Sequence, residues 1–148
     1  MPDPNTIPDS KEQVPPSRWG RSIAALLAGF VAVVILSLAT DDILRETRIF
    51  PASGDLMSNP LFLLATIYRT LYGVLGSYIT ARVAPDRPMG HALAGGLVGL
   101  VLSLAGVAAS WKHPELGPHW YSVALVLTVL PTAWLGGRMR EIQIKKNS

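Results

Sequence analysis

Four long apolar stretches alternate with short polar segments along the chain, at about residues 21–40, 60–83, 89–110 and 119–137. A helix of roughly 20 residues, with a rise of about 1.5 Å per residue, crosses the hydrocarbon core of a bilayer. Charged residues make up 16% of the chain and lie mostly between these stretches. The pattern therefore predicts an all-α membrane protein, folded as a bundle of four transmembrane helices.

Turn and capping residues mark where the spans begin and end. Asn59 and Pro60 suit a helix start, because Asn caps free N–H groups and Pro lacks a donor that has no partner in the first turn. Two prolines in segment 84–88 disfavour helix at the residues before them. We therefore expect an antiparallel, up-down bundle in which spans two and three form a hairpin. Gly136 and Gly137 suit a helix C-terminus and predict the end of the fourth span.

Polar segments flank these spans. Residues 1–18 contain five prolines and few large apolar side chains, so they cannot bury enough surface to offset the entropy of ordering. We expect a disordered tail there, a membrane domain over residues 19–140 and a basic tail over residues 141–148. Residues 41–59 are polar enough to leave the membrane, and their apolar side chains, such as Phe50, are expected on its surface in a short interfacial helix.

The first span has an alternative interpretation as a cleavable signal peptide. Ser37 and Ala39 are small residues of the kind that a signal peptidase requires. The apolar region is nevertheless longer than the usual ~7–15 residues and follows a long proline-rich lead. A membrane span is the favoured interpretation.

The distribution of Lys and Arg predicts the orientation. Nine of these residues lie in the N-terminal tail, in the turn between spans two and three, or near the C-terminus, and three lie on the other side. Basic residues favour the cytoplasmic side, so both termini are expected in the cytoplasm. The nine are Lys11, Arg18, Arg21, Arg82, Arg87, Arg138, Arg140, Lys145 and Lys146, and the three are Arg45, Arg48 and Lys112.

Composition and spacing predict no chemistry of a familiar kind. The net charge is +3, but the basic residues flank apolar spans instead of forming a stripe, which argues against nucleic acid as a partner. The chain has no Cys. The outer loop holds His113, Glu115 and His119, but a fourth metal ligand is missing from the pattern, so a surface loop is favoured. We expect no catalytic, cofactor or metal site and no enzymatic activity.

Small residues recur at helical spacing in spans two and three. Such stripes let two backbones approach closely. We expect the stripes to pack on each other within the hairpin, and contact with a second copy or another membrane protein is the alternative. The stripes comprise Gly73, Ser77 and Ala81 in span two, and Gly95, Gly99, Ser103, Gly106 and Ser110 in span three.

Arg69 lies well inside the second span. An Arg at this depth is costly unless it faces the bundle and has a partner. Helical side chains point toward the N-terminus of their helix, which here is the outer end, so Asp41 and Asp42 are the nearest acids. A structural salt bridge with one of them is the favoured interpretation. Extension to the outer headgroups and a role in anion or proton handling are the alternatives.

The segments 78–92 (YITARVAPDRPMGHA) and 120–138 (WYSVALVLTVLPTAWLGGR) resemble a group of small bacterial four-span proteins that has no assigned activity. The resemblance extends from Tyr68 to Arg140, about half of the chain. It implies the four-span architecture and a bacterial inner membrane.

Two functions follow from these features. The first is a non-enzymatic membrane module that packs against itself or a partner through its small-residue faces. The second is a subunit of a small oligomeric transporter or channel in which Arg69 lines a polar path. Such a path requires other polar groups at the depth of Arg69, and the sequence offers Tyr68, Tyr72, Ser103 and Thr128.

Overall fold

The computed structural model describes residues 18–52, 55, 57–113 and 117–147. The predicted tail before Arg18, together with Glu115 of the outer loop, lies outside these residues. The described residues form four α-helices, each long and apolar enough to cross a membrane. The helices are α1 (Arg18–Glu46), α2 (Asn59–Val83), α3 (Pro88–Ser110) and α4 (His119–Lys146).

Two of the helices are longer than the sequence pattern predicts. α1 continues to Glu46, so residues 41–46 extend this helix instead of forming a separate interfacial helix. α4 continues through Gly136 and Gly137 to Lys146. The prediction that the two glycines end α4 is therefore wrong. Both glycines are buried, which indicates a packing role in place of a terminating one.

Polar contacts join the C-terminal part of α4 to α2. The Tyr78 hydroxyl donates to Gln143 Oε1 at 2.7 Å, and Arg82 Nη1 donates to the Tyr78 hydroxyl at 3.1 Å. Within α4, Arg138 pairs with Glu141 at 3.2 Å. These contacts help explain why residues expected to form a basic tail are helical.

Large apolar side chains are mostly exposed and small ones are often buried, as expected for a protein surrounded by lipid. Leu71 and Leu127 are among the most exposed apolar side chains, at 62% and 69%. Alanine dominates the buried apolar residues, because transmembrane helices associate through small side chains that allow close packing. The buried alanines are Ala25, Ala65, Ala81, Ala92 and Ala133.

α4 packs against both α2 and α3, and α2 also packs against α1. Direct contact between α2 and α3 is smaller. We call the end of the bundle that holds Phe50, Phe62 and Tyr121 the loop end. The end that holds Ser22 and His91 is the turn end, because it includes the turn between α2 and α3.

The expected packing of the α2 stripe on the α3 stripe is not found. A Cβ placed on Gly73 would lie 3.1 Å from Thr132 Oγ1 of α4. Ser77 lies against Gly136, also on α4. The stripe of α2 therefore faces α4, whose own small residues at this crossing let the two backbones approach closely.

The α3 stripe likewise has partners other than the α2 stripe. A Cβ on Gly95 would lie 3.3 Å from the Leu26 side chain of α1, and one on Gly99 would lie 3.5 Å from Val129 of α4. Ser103 is half-buried. A Cβ on Gly106 would have no heavy atom of the described residues within 4 Å, so the fold leaves this position of the stripe uncovered.

The backbones of α1 and α2 approach each other closely at Gly29 and Gly76. A Cβ on Gly76 would lie 2.8 Å from the carbonyl oxygen of Gly29, and one on Gly29 would lie 2.5 Å from the carbonyl oxygen of Gly76. Any larger side chain would push these two backbones apart. This crossing fixes the height of α1 relative to α2, and with it the position of the charged residues nearer the loop end.

Candidate functional site

An ion pair joins α1 to α2 in the loop-end half of the bundle. Arg69 Nη2 donates to Asp41 Oδ2 at 2.6 Å. The Tyr68 hydroxyl donates a hydrogen bond to the other carboxylate oxygen of Asp41. Asp41 is buried, and about one-third of the Arg69 side chain is exposed. Two donors on one carboxylate offset much of the cost of holding its charge inside the bundle.

The geometry of the α1–α2 crossing explains why Arg69 reaches Asp41. Asp41 is twelve residues beyond Gly29 on α1, and Arg69 is seven residues before Gly76 on α2. These intervals correspond to about 18 Å and about 10 Å of helix. An extended arginine side chain that points toward the N-terminus of α2 covers the difference.

Aromatic side chains cover the ion pair at the loop end. The guanidinium carbon of Arg69 lies 6.0 Å from the ring centroid of Tyr121, within the range of a cation–π contact. The rings of Phe62 and Tyr121 pack with centroids 5.0 Å apart. Phe50 is buried in the same cluster, which corrects its expected position on the membrane surface. We call Phe50, Phe62 and Tyr121 the aromatic cap.

The structure distinguishes the two candidate partners of Arg69. Asp41 faces α2, whereas the Asp42 side chain is 76% exposed and lies 3.9 Å from Arg45 on its own helix. Consecutive residues of an α-helix are separated by about 100° around the axis, so only one of the two acids points at α2. The guanidinium contacts a carboxylate, as the structural salt bridge requires.

Most polar groups that a transport path would use already have partners. The Tyr68 hydroxyl bonds to Asp41, and the Tyr72 hydroxyl bonds to Thr40 Oγ1 at 2.8 Å. Thr128 Oγ1 donates to the carbonyl of Leu125 at 3.0 Å. Arg69 Nε is buried and has no hydrogen-bond partner among the described residues. The ion pair of Arg69 and Asp41, with Tyr68 and Tyr121 beside it, thus holds α1, α2 and α4 together.

Sequence reasoning missed the aromatic cap. Its members come from a loop and from the first turns of α2 and α4, and they share no spacing along the chain. The available signal was topological, because the start of α2 and the start of α4 meet at the end toward which Arg69 points. Across the loop between α3 and α4, His119 at the start of α4 packs against Trp111 with ring centroids 4.5 Å apart.

Comparison of the chain with protein-family models, with curated proteins and with solved structures gives no significant match in any of the three. The resemblance to small four-span bacterial proteins therefore stays an expectation from the sequence.

Proposed function

We propose that this chain is a non-enzymatic, multi-pass module of the bacterial inner membrane that acts by packing against a second membrane-embedded chain. Its helices form an antiparallel, up-down bundle with both termini in the cytoplasm. Lipid surrounds the bundle, and nucleic acid is not a partner. The ion pair of Arg69 and Asp41 has a structural role, supported by the hydrogen bonds that already engage the neighbouring hydroxyl groups.

One observation supports association through α3. Its loop-end half exposes a smooth surface of small residues, and a Cβ on Gly106 would meet nothing within 4 Å among the described residues. Gly29, Gly76 and Gly136, in contrast, are each covered by another helix. A transmembrane helix of a second chain fits such a surface, because small side chains allow close backbone approach without opposition from lipid. The exposed small residues are Ala105, Gly106, Ala108 and Ala109.

Cysteine cross-linking in native membranes tests this association. The chain has no Cys of its own, so Gly106→Cys introduces a single reactive thiol. We expect a bifunctional maleimide to give a product larger than the monomer. Leu127→Cys is the matched control, since Leu127 is also highly exposed but lies on α4 in a surface of large side chains.

The masses of the products decide the outcome. A dimer identifies a second copy, and an adduct of another mass identifies a different membrane protein. Equal cross-linking of Gly106→Cys and Leu127→Cys would contradict a specific α3 surface. Recovery of the monomer alone from both variants would contradict it as well.

Accessibility of single cysteines in intact cells tests the orientation. We expect Ala52→Cys and Lys112→Cys to react with a membrane-impermeant maleimide from outside. Asp86→Cys and Asn147→Cys are expected to react only after the cells are opened. All four positions are exposed in the structure, so burial does not explain a difference between them. External labelling of Asp86→Cys would exclude the four-span orientation with cytoplasmic termini.

A further inference from the structure

A groove lies between α1 and α3 at the turn end of the bundle. It has a volume of about 310 Å³ and is lined by Trp19, Ser22, Leu26, His91 and Ala94. This volume is at the lower end of the range of about 300–1,000 Å³ that is typical of ligand sites. α1 and α3 make limited contact with each other, so the groove is open at the side of the bundle that faces lipid.

The groove changes from polar to apolar along its length. His91 Nε2 and Ser22 Oγ lie 2.9 Å apart and form a hydrogen bond that bridges α1 and α3. Leu26 and Ala94 lie about one turn deeper in the bundle and provide an apolar floor. Trp19 is 82% exposed and lies at the polar end of the groove. An indole ring in this position favours the headgroup region.

Positive charge lies near the polar mouth on its α3 side. The backbone carbonyl of Arg87 lies 3.3 Å from His91 Nδ1, which places Arg87 one turn from the groove, and its side chain is exposed. The first turn of α3 contains no acidic residue, and its N-cap provides no side-chain hydrogen bond. The positive end of the helix dipole therefore adds to the charge of Arg87 at this point.

We propose that this groove binds an anionic phospholipid. One acyl chain lies along Leu26 and Ala94, and the phosphate lies at the Arg87 guanidinium and the N-terminus of α3. The His91–Ser22 hydrogen bond marks the boundary between the two parts. Basic pockets between transmembrane helices on the cytoplasmic side bind anionic headgroups in this way. The assignment to the inner leaflet rests on the proposed orientation, but the site itself does not.

Native mass spectrometry of the purified full chain in detergent tests this proposal, with phosphatidylglycerol and phosphatidylcholine as probes. We expect one phosphatidylglycerol to be retained and phosphatidylcholine to be lost. Arg87→Gln is expected to weaken phosphatidylglycerol binding about fivefold. Its matched control is Arg48→Gln, because Arg48 and Arg87 are both exposed and both have positive φ, 58° and 42°, but lie at opposite ends of the bundle.

A second pair of variants tests the apolar part of the groove. Ala94→Phe fills the floor and is expected to abolish retention, whereas Ala39→Phe, at an exposed α1 position away from the groove, is expected to leave it intact. If Ala94→Phe does not fold, the comparison of Arg87→Gln with Arg48→Gln alone tests the site.

Three results would overturn the site: equal retention of both lipids, equal losses in Arg87→Gln and Arg48→Gln, or displacement of the lipid by inorganic phosphate. Both ends of the bundle are accessible in detergent, so failure here is separate from failure of the orientation or of α3 association.

Discussion

Arg69→Ala is expected to lower the free energy of unfolding by about 3–5 kcal/mol, because it leaves the buried carboxylate of Asp41 without its charged partner. Tyr68 alone then donates to that carboxylate. Thermal or denaturant unfolding in detergent measures the loss. The double variant Arg69→Ala, Asp41→Asn removes the uncompensated charge, so we expect it to recover part of the stability.

Asp42 provides the internal control for this double-mutant cycle. It is adjacent in sequence to Asp41 but is exposed and directed toward Arg45. Asp42→Asn is therefore expected to have an effect within about 0.5 kcal/mol, and to show no coupling with Arg69→Ala. Equal coupling of Arg69 to both acids would contradict the observed pair. A stable Arg69→Ala protein would show that the ion pair contributes little to the fold.

The sequence identified the charged residues of this centre but could not choose between the two acids. The choice depends on the rotation of α1 about its axis and on the crossing at Gly29 and Gly76, and neither is encoded near Asp41. The sequence also does not predict where α1 ends. Residues 41–46 carry charges that suggest an exit from the membrane, yet their backbone continues the helix to Glu46.

The stripes of small residues correctly predict close helix packing, but the predicted partner helix is wrong. Their spacing in α2 and α3 indicates helices that approach closely, but it does not say which neighbour approaches. Gly136 and Gly137 of α4 form part of the true partner surface, but their sequence also suits a helix end. Glycine is favoured both after a helix and inside a close crossing, so only the contacts of α4 separate the two roles.

Gly136→Ala tests the α2–α4 crossing with a single added methyl group. A Cβ at this position would lie 2.6 Å from the Ser77 Cβ, the Tyr78 amide nitrogen and the Val74 carbonyl oxygen. Two of these atoms belong to the backbone of α2, so a rotamer change does not relieve the clash. We expect a loss of about 1–3 kcal/mol for Gly136→Ala. Gly136→Leu is expected to lose more, because the added bulk forces the two helices further apart.

Gly106 and Gly99 serve as comparison positions for the Gly136→Ala test. A Cβ on Gly106 has open space and one on Gly99 only an ordinary contact with Val129, at 3.5 Å. Alanine is favoured over glycine in a helix by about 1 kcal/mol, so Gly106→Ala is expected to be neutral or stabilising in a monomer. The sign of the effect thus reverses between Gly136 and Gly106, although both changes add the same atom. Equal losses at both positions in detergent unfolding would show that glycine flexibility, and not the α2–α4 approach, determines the stability of the bundle.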